Sequence, residues 1–541
     1  MIGTFLDALG GVALDMGMRR RRRKLWGELT EQSAHPARTQ VSVLAEILAR
    51  NADTTFGRTH GFASIRDHAA FANAVPVNDY EALRPHIERQ ESTGETVLTA
   101  EAPVLYAVTS GTTGAAKFIP VTATGLSRQA KAQRLLATMV HAATGSLSGR
   151  ILGIGGPAIE GHRPNGVPYG SASGMILEGM PGVIRRRYIV PPVTLAIADY
   201  DARYYAIAAL ALAERNLTAM ATANPSTLLR LRQVIIDHWP DLLVDLASGP
   251  RGDAGSRGRP AQLRALGDPS NLTFGDLWPR LAAVTTWTRG SCGLAVTRLR
   301  DVLPESAAVV ELGYLASEVR GTVAVDTTSG NCVPTLGDNF FEFVERDAWE
   351  SGNHQFLTLA DLEQGRQYYV FVTTFDGLYR YDMNDIVEVT GMFESTPCLG
   401  FVQKGCGVTN ITGEKLHESQ VLESVVTAGD GRVPGGGFFL MLADTPNASY
   451  RLYLEGPLGR GELARLARSV DDTLVRLNIE YRSKRASGRL HPVVAQELRA
   501  GTGEAYRSHC VGNGQRDAQF KLMPLQRAED CAFDLAAAVV S

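Results

Sequence analysis

The 541-residue sequence lacks the features that would assign it to several special classes of protein. No uninterrupted apolar run approaches the roughly 18 residues that indicate a transmembrane helix. The six cysteines are scattered without a C-x-x-C pair, which argues against a disulfide framework and against a zinc ribbon. With 54 basic and 57 acidic residues, the net charge of -3 does not favour nucleic acid or an anionic membrane as the main partner. We therefore expect a cytoplasmic globular protein with reduced thiols.

One basic run lies near the N-terminus. The residues from Arg19 to Arg23 and Lys24 follow the moderately apolar segment IGTFLDALGGVALDMGM. A secretory signal carries its positive charge before the apolar region, and here the order is reversed. A surface-binding amphipathic anchor is one alternative. We interpret residues 1–35 instead as a solvated extension whose arginines cover acidic surface.

The sequence does contain enough residues for two or more domains and a hydrophobic fraction of 44%, as globular proteins have. Apolar residues at helical spacing predict helices around Val41 and Leu48 and over residues 127–143. Runs rich in aromatic and β-branched residues predict strands at VLYAV, DNFFEFV, QYYVFVTTF and DIVEVTG. Residues 249–260 and 429–437 predict exposed loops. The mixture predicts an α/β architecture of helix-covered sheets, with a smaller α+β domain from about Cys398 onward.

The stretch TSGTTGAAKFIP (residues 109–120) places hydroxyl side chains and glycines in one tight bend after a predicted strand. Glycine lets the backbone approach a ligand closely, so such a bend can bind phosphate, with a lysine ammonium as an added point charge. The stretch is not a Walker loop, because Ala116 and Phe118 stand where that motif requires Gly and Ser or Thr. A plain turn is the alternative. The candidate phosphate-binding residues are Thr109, Ser110, Gly111, Thr112, Thr113, Gly114 and Lys117.

Two further stretches carry isolated acidic residues. Glu318 ends the small-residue turn of ELGYLASEVRG, and a carboxylate there suits Mg²⁺, which takes one or two protein carboxylates with phosphate oxygens and water. Asp385, in TTFDGLYRYDMNDIVEVTG, precedes a predicted strand and can accept both hydroxyls of a ribose. The alternatives are a solvated surface glutamate and a turn-capping aspartate.

Taken in order, these stretches resemble an adenylate-forming enzyme of the firefly-luciferase-like superfamily, and more closely the auxin-responsive Gretchen Hagen family of acyl acid-amido synthetases. The resemblance covers nearly the whole chain from about residue 40. Further landmarks follow in the order of the family at residues 54–89, 215–231, 277–287, 313–318 and 412–421.

The resemblance implies a fold and a domain organisation. It implies a large N-terminal adenylate-forming domain of β-sheets flanked by helices plus a β-barrel (residues 1–392), and a hinge (residues 393–404). A smaller mobile α+β lid follows (residues 405–541). In that superfamily the small domain closes over the large one between half-reactions and excludes water from the adenylate.

The resemblance also implies the chemistry, with ATP and Mg²⁺ as cofactors and a small carboxylic acid and an amine, such as an amino acid, as substrates. The acid attacks the α-phosphate of ATP, pyrophosphate leaves, and the amine then displaces AMP to give an amide. By resemblance, Thr109 to Gly114 form the phosphate loop, and Glu318 lies near the metal. Tyr314, Ala316 and Ser317 lie near adenine or the α-phosphate, and Asp385 binds the ribose.

Three departures from the family pattern concern the remaining candidates. FVQKGCGV has Gln403 and Lys404 where relatives often carry arginine or aspartate. QFKLMPLQ lacks the usual arginine and has one extra residue before the proline. By resemblance, Lys521 is the candidate mobile catalytic lysine and Lys415 is a second candidate, and a solvated surface lysine is the alternative for each. Asn384 replaces the usual glycine before the ribose aspartate, so we expect it to adopt a glycine-like backbone conformation, which asparagine tolerates.

Two alternatives to the amide synthetase stay open on the sequence. One is an acid-thiol ligase that passes the same adenylate to coenzyme A. The other is a non-catalytic nucleotide-binding relative that kept the fold and lost the chemistry. Nothing in the sequence indicates an oligomeric state.

Overall fold

The computed structural model describes residues 2–110, 116–248, 258–405, 407–412, 414–513, 515, 517 and 520–540. Contacts divide the chain into two compact units. The first unit contains Met1–Ala223, Thr227–Thr288 and Val302–Phe401. The second contains Asn224–Ser226, Arg289–Asp301 and Val402–Ser541. Across the described residues, no helix has the length and hydropathy that crossing a membrane requires.

The helices of the described chain are distributed over both units. They are α1 (Ile2–Ala34), α2 (Pro36–Arg50), α3 (Thr55–Thr59), α4 (His68–Ala74), α5 (Tyr80–Thr93), α6 (Ala123–Thr144), α7 (Ala172–Glu178), α8 (Gly182–Arg185), α9 (Pro192–Leu195), α10 (Tyr200–Ala213), α11 (Ser226–Asp237), α12 (Trp239–Ser248), α13 (Arg259–Arg264), α14 (Phe274–Leu277), α15 (Cys292–Arg300), α16 (Arg346–Glu350), α17 (Glu418–Ala428), α18 (Arg460–Leu477), α19 (Ile479–Ala486) and α20 (Thr502–Gly512).

The strands are mostly short. They are β1 (Pro103–Ser110), β2 (Ala116–Thr122), β3 (Arg150–Ile154), β4 (Gly161–His162), β5 (Pro168–Gly170), β6 (Leu217–Thr222), β7 (Ala283–Thr286), β8 (Ala308–Glu311), β9 (Thr322–Ala324), β10 (Cys332–Pro334), β11 (Phe340–Glu345), β12 (Gln367–Thr373), β13 (Tyr381–Phe393), β14 (Thr396–Lys404), β15 (Val408–Thr409), β16 (Leu416–His417), β17 (Phe439–Asp444), β18 (Ser449–Glu455), β19 (Val494–Leu498) and β20 (Leu525–Arg527).

Two sheets of the first unit match the predicted α/β architecture. The sheet β3-β6-β7-β8 is parallel throughout, and its strands are largely buried, as parallel sheets require. The sheet β2-β1-β5-β4 begins with the antiparallel hairpin β1-β2, and β5 runs parallel to β1. The predicted strand at VLYAV lies within β1. The predicted helices lie within α2 and α6.

The runs rich in aromatic and β-branched residues form three further strands of this unit. The predicted strands DNFFEFV, QYYVFVTTF and DIVEVTG contribute to β11, β12 and β13 of the sheet β11-β12-β13-β14. The strands β9 and β10 form a separate antiparallel ladder. In the described part of the chain, these pairings give an open sheet and a ladder in the region where the family resemblance implies a barrel.

One apolar core connects α2 and α5 to the strands β1, β11, β12 and β13. The rings of Phe56 and Tyr379 stack within it, with centroids 4.9 Å apart. The Tyr379 hydroxyl donates to the Leu98 carbonyl at 2.6 Å. Since Tyr379 lies just before β13, this packing fixes the start of the strand that carries Asp385.

The second unit is an α+β assembly, as expected for the last third of the chain. Its sheet has the order β19-β18-β17-β20, and α17 and α18 supply apolar residues to a core with β17 and β18. Leu294 of α15 packs against the same core, which explains why residues 289–301 group with this unit by contacts. The division between residues 401 and 402 falls inside the predicted hinge, within β14. The predicted lid movement stays a prediction.

The N-terminal segment differs from its prediction. The residues Arg19 to Arg23 are exposed, but the helix α1 continues into the first unit. Trp26 packs edge-on against Phe393 with ring centroids 5.4 Å apart, and Leu29 is buried. The Ser33 carbonyl accepts from the Thr396 hydroxyl at 2.8 Å. Residues from about Trp26 onward are therefore part of the core, because apolar side chains at helical spacing bury one face of α1.

The remaining sequence predictions concern the cysteines and two loops. The five cysteines that the structure describes are not in disulfides, and Cys406 lies outside the described residues. Most of the predicted loop at residues 249–260 also lies outside them, and α13 begins at Arg259. The predicted turn at residues 429–437 follows the end of α17.

The buried carboxylate of Asp376 generates a test of the fold. Asp376 Oδ1 accepts from the Thr122 N–H at 2.7 Å and from the Thr122 hydroxyl at 2.9 Å, at the N-terminus of α6. Burial raises the pKa of Asp376 to about 6, against the opposite effect of these hydrogen bonds. A carboxyl group whose pKa is raised in the folded protein contributes stability at pH values below its pKa in the unfolded chain. This contribution is lost as the pH rises through about 6.

Asp376→Asn keeps the acceptor oxygen and does not titrate. We expect the stability of wild type relative to this variant to fall as the pH rises from about 4 to about 6, and to stay level above about pH 7. Thermal unfolding of both proteins across this range measures the difference. A difference that does not change with pH would contradict the assignment.

Candidate nucleotide-binding site

Three residues that the sequence singled out come together in the first unit: Tyr314, Glu318 and Asp385. The Tyr314 hydroxyl donates to Asp385 Oδ2 at 2.6 Å, and both residues are buried, with 6% and 1% of their surface exposed. Tyr314 follows the carboxyl end of β8, and Asp385 lies in β13. In open α/β sheets, ligands bind outside the carboxyl ends of the strands. This position suits a nucleotide.

The turn that carries Tyr314 is held by Glu311, the last residue of β8. Glu311 Oε1 accepts from the Gly313 N–H at 2.8 Å, and Oε2 accepts from the Thr288 N–H at 2.8 Å. Gly313 has φ +92, and an added Cβ would lie 2.7 Å from the Thr322 carbonyl oxygen, so the position requires glycine. The Tyr314 N–H donates to the Thr322 hydroxyl at 2.8 Å. Glu311 therefore links the turn that carries Tyr314 to the loop at Thr288.

The electrostatics of the pair favour a protonated tyrosine. Burial raises the pKa of Tyr314 well above its usual value, and the charges of Asp385 and Glu318 act in the same direction. Burial, followed by the charge of Glu318, also raises the pKa of Tyr381. Tyr314 therefore remains a donor to the Asp385 carboxylate throughout the neutral range. The charge of Glu318 acts on both hydroxyls.

Two residues near the start of the strand that carries Asp385 lie in the left-handed region: Arg380, just before β13, at φ +46, and Asn384, within β13, at φ +48. Asn384 thus has the glycine-like conformation that the sequence predicts. Its N–H donates to Asp382 Oδ1 at 2.7 Å. Non-glycine residues in this region cost about 1–3 kcal/mol each and persist where the surroundings fix them.

The surroundings of Arg380 fix it strongly. Its Nε donates to both carboxylate oxygens of Glu342 at 3.0 Å, and its Nη1 donates to the Ala72 and Val75 carbonyls at 2.9 Å. The guanidinium lies 4.2 Å from the ring centroid of Phe356. Removing one partner of such a buried pair costs about 3–5 kcal/mol. The Arg380 side chain, just before the strand of Asp385, is therefore held by the Glu342 carboxylate and by the Ala72 and Val75 carbonyls.

Glu318 borders a small cleft in the first unit whose lining also includes the charged residues Arg128, Arg320, Asp338 and Asp376. In the described ranges, no group of three or more His, Cys, Asp or Glu residues is placed to hold a metal ion. A single carboxylate fits Mg²⁺ that is completed by phosphate oxygens and water. The assignment of Glu318 to the metal therefore stays a prediction.

The neighbouring turn residues are also located. The Ala316 N–H donates to the Val319 carbonyl at 2.9 Å, and Leu315 forms an isolated antiparallel bridge with Arg320. Ala316 and Ser317 are partly exposed. Both therefore lie in the tight turn between Tyr314 and Glu318.

The predicted phosphate loop connects β1 to β2. Thr109 and Ser110 end β1 and pair with Lys117 and Ala116 of β2. Gly111, Thr112, Thr113 and Gly114 lie outside the described residues, and their role stays a prediction. The Lys117 Nζ lies 5.6 Å from the ring centroid of Tyr80, whose hydroxyl accepts from the Phe118 N–H at 2.9 Å.

The two candidate lysines belong to the second unit. Lys415 is exposed and has φ +42. Lys521 precedes β20, and its charge acts on the buried carboxyl of Glu418. Burial raises the pKa of Glu418 to about 8, and Lys521 opposes this shift. The catalytic role of a lysine in this unit stays a prediction.

Sequence reasoning missed several residues that hold the site. Glu311 opens the stretch ELGYLASEVRG, and its place at the end of a buried strand is the signal that could have indicated its role. Glu342 and Phe401 carried no such signal, because their contacts are made across the fold. The Phe401 ring lies parallel to that of Tyr314, with centroids 6.2 Å apart and an interplanar angle of 11°.

Comparison with solved structures defines the class of fold. The GH3.15 acyl acid amido synthetase superposes with a TM-score of 0.81 at 22% identity, covering 95% of each chain. A 2-hydroxyisobutyryl-CoA ligase in the postadenylation state has a TM-score of 0.55 at 11% identity, covering 91% of this chain and 90% of the ligase. The chain shares the fold of these two enzymes, and the predicted α/β class with a smaller C-terminal domain is confirmed.

Sequence comparison then gives the family. The GH3 family N-terminal domain matches residues 26–308, the central domain residues 332–404, and the C-terminal domain residues 421–530. The chain belongs to the GH3 family, which confirms the predicted resemblance. It is 26% identical to the indole-3-acetic acid-amido synthetase GH3.8 of Oryza sativa subsp. indica, over 91% of this chain and 89% of that protein. It is 25% identical to GH3.15 of Arabidopsis thaliana, over 74% and 73%.

The contact between Tyr314 and Asp385 generates a binding test. We expect Asp385→Asn to weaken ATP binding by about 10-fold or more, because hydrogen bonds to a charged group contribute about 1.5–3 kcal/mol. Isothermal titration calorimetry of ATP against both proteins measures the change.

Tyr481→Phe is the matched control, since Tyr481 of the second unit also donates to a buried aspartate, Asp471, at 2.6 Å. We expect this variant to bind ATP as wild type does. An Asp385→Asn protein that keeps its near-ultraviolet circular dichroism and the wild-type affinity would contradict the ribose assignment.

Proposed function

We propose that this GH3 family protein is an ATP- and Mg²⁺-dependent acyl acid-amido synthetase. The observation that supports this most is the buried pair of Tyr314 and Asp385 beside Glu318, at the carboxyl end of a parallel strand. The names of the relatives, indole-3-acetic acid-amido synthetases and an acyl acid amido synthetase, agree with an amide-forming ligase.

In the first half-reaction, a carboxylate oxygen of the acid attacks the α-phosphorus of ATP. The bond between the α-phosphorus and the bridging oxygen breaks, pyrophosphate leaves, and an acyl-adenylate forms. The protein contributes positioning and charge neutralisation rather than covalent chemistry. Asp385 accepts hydrogen bonds from the ribose hydroxyls. The residues from Thr109 to Gly114, together with Lys117, bind phosphate. Glu318 would hold the Mg²⁺, which offsets phosphate charge.

In the second half-reaction, the nitrogen of an amine attacks the acyl carbon. The carbon–oxygen bond to AMP breaks, the nitrogen loses a proton, and the amide and AMP are released. A lysine of the second unit, Lys521 or Lys415, has already supplied positive charge to the transition state in which this adenylate forms. The predicted hinge at residues 393–404 allows the lid of residues 405–541 to exclude water from this intermediate.

The proposed substrates are a small carboxylic acid and an amino acid or other amine. A related solved structure contains the acid 2,4-DB in complex with an acyl acid amido synthetase. The acid and the amine of this chain are set by pockets of its own, so a panel of acids is the appropriate test.

The test is carboxylate-dependent exchange of ATP and pyrophosphate with Mg²⁺, over a panel of aromatic and aliphatic acids. We expect exchange with at least one acid, followed by amide and AMP when an amino acid is added. Coenzyme A in place of the amine is the parallel arm. A thioester rather than an amide would give the thiol ligase, and ATP binding without exchange for any acid would give the non-catalytic relative.

A further inference from the structure

Lys415 has an unusual position in the second unit. It is the one exposed residue of the five from 414 to 418, all of which are described. Its φ of +42 lies in the left-handed region, where a long side chain is uncommon. Such strain persists only where the surrounding structure enforces it, and it concentrates at functional sites. The residues around Lys415 therefore have to enforce its left-handed conformation.

The carboxylate of Glu414, which is fully buried, organises the loop that leads to Lys415. Its Oε1 accepts from the Ile411 N–H at 2.7 Å and from the Tyr450 hydroxyl at 2.5 Å. Its Oε2 accepts from the Thr412 N–H at 2.7 Å and from the Thr412 hydroxyl at 3.0 Å. Each oxygen therefore has two donors, which fixes the orientation of the side chain within the loop.

A second group holds the backbone on either side of the strained residue. The Asn478 amide donates to the Glu414 carbonyl at 3.0 Å and to the Lys415 carbonyl at 3.2 Å. Asn478 is itself buried. The ends of the loop are closed by the ladder β15-β16, in which Thr409 pairs with Leu416. The conformation of Lys415 is thus determined from inside the unit.

The hydrogen bonds also keep Glu414 ionised. Burial alone would raise its pKa, but the bonds from Tyr450, Ile411 and Thr412 together lower it below the usual value. An ionised carboxylate accepts four bonds without a proton of its own, whereas an amide offers one oxygen. A glutamine at this position would therefore leave two donors facing an NH₂ group.

We propose that Glu414 is a positioning residue that holds Lys415 in its left-handed, solvent-facing conformation for delivery of the lysine charge to the adenylate. This inference rests on the proposed function and deepens it, because it selects Lys415 as a lysine whose backbone is preset. Glu414 acts through Lys415 and does not contact the substrate.

The experiment compares Glu414→Gln, Lys415→Ala and the double variant in full-length protein, with an acid that supports exchange. We expect Glu414→Gln to lower kcat of adenylate formation by about 10- to 100-fold, since small misplacements of a catalytic group have effects of this size. We expect KM for ATP to change by less than about 3-fold, because Lys415 acts on the transition state. The double variant is expected to be no slower than Lys415→Ala, because the two residues act as one unit.

Two tyrosine variants separate positioning from general stability. Tyr450→Phe removes a donor to Glu414, and we expect kcat to fall several-fold, roughly the loss of one hydrogen bond. Tyr481→Phe removes the similar bond to Asp471 in the same unit, at 2.6 Å. We expect it to lower the melting temperature while kcat stays at the wild-type value.

The outcomes separate this inference from the proposed function. Suppose that wild type catalyses the exchange of ATP and pyrophosphate. An unchanged kcat in Glu414→Gln would then overturn the positioning role and leave the proposed synthetase function intact. A kcat in the double variant that falls by the product of the two single losses would do the same. If wild type shows no exchange, the proposed function fails, and amide hydrogen exchange of residues 411–416 then decides. Faster amide hydrogen exchange of these residues in Glu414→Gln and Tyr450→Phe than in Tyr481→Phe would support the inference that Glu414 fixes the loop. Equal amide hydrogen exchange in the three variants would overturn that inference.

Discussion

The hydrogen bond from the Tyr314 hydroxyl to Asp385 is the contact on which the candidate site depends, because it joins two separate sheets of the first unit. Tyr314 follows the parallel strand β8, and Asp385 lies in the antiparallel strand β13. Burial keeps the hydroxyl protonated, so the contact is a charge-assisted hydrogen bond in a region of low dielectric.

The residues around this contact are arranged to keep it in place. Glu311 ties the Tyr314 turn to Thr288, and Glu342 holds Arg380 at the start of β13. Both glutamates are buried and use both oxygens. A buried carboxylate with all its partners present stabilises a single geometry, whereas a partly satisfied one is costly. The site is therefore rigid on the side that would bind the nucleoside.

Strained backbone is found in both units near the candidate residues. Arg380 and Asn384 lead to Asp385 in the first unit, and Lys415 follows Glu414 in the second. In each case a carboxylate accepts hydrogen bonds from the strained residue itself or from residues close to it in the chain. The same physical device thus serves the proposed ribose contact and the proposed lysine. It gives both a fixed geometry before any ligand binds.

The sequence by itself determined the family, the α/β class and most of the candidate residues, because hydrophobic periodicity and short motifs are local properties. It also determined the backbone of Asn384, since few residues tolerate that conformation. The tertiary structure decided that Trp26 and Leu29 of α1 belong to the core and that α15 groups with the second unit. It also decided that Glu311, Glu342 and Glu414 accept hydrogen bonds from residues near the candidate site residues. These facts depend on contacts between residues far apart in the chain or on the exact path of a turn, which no local pattern records.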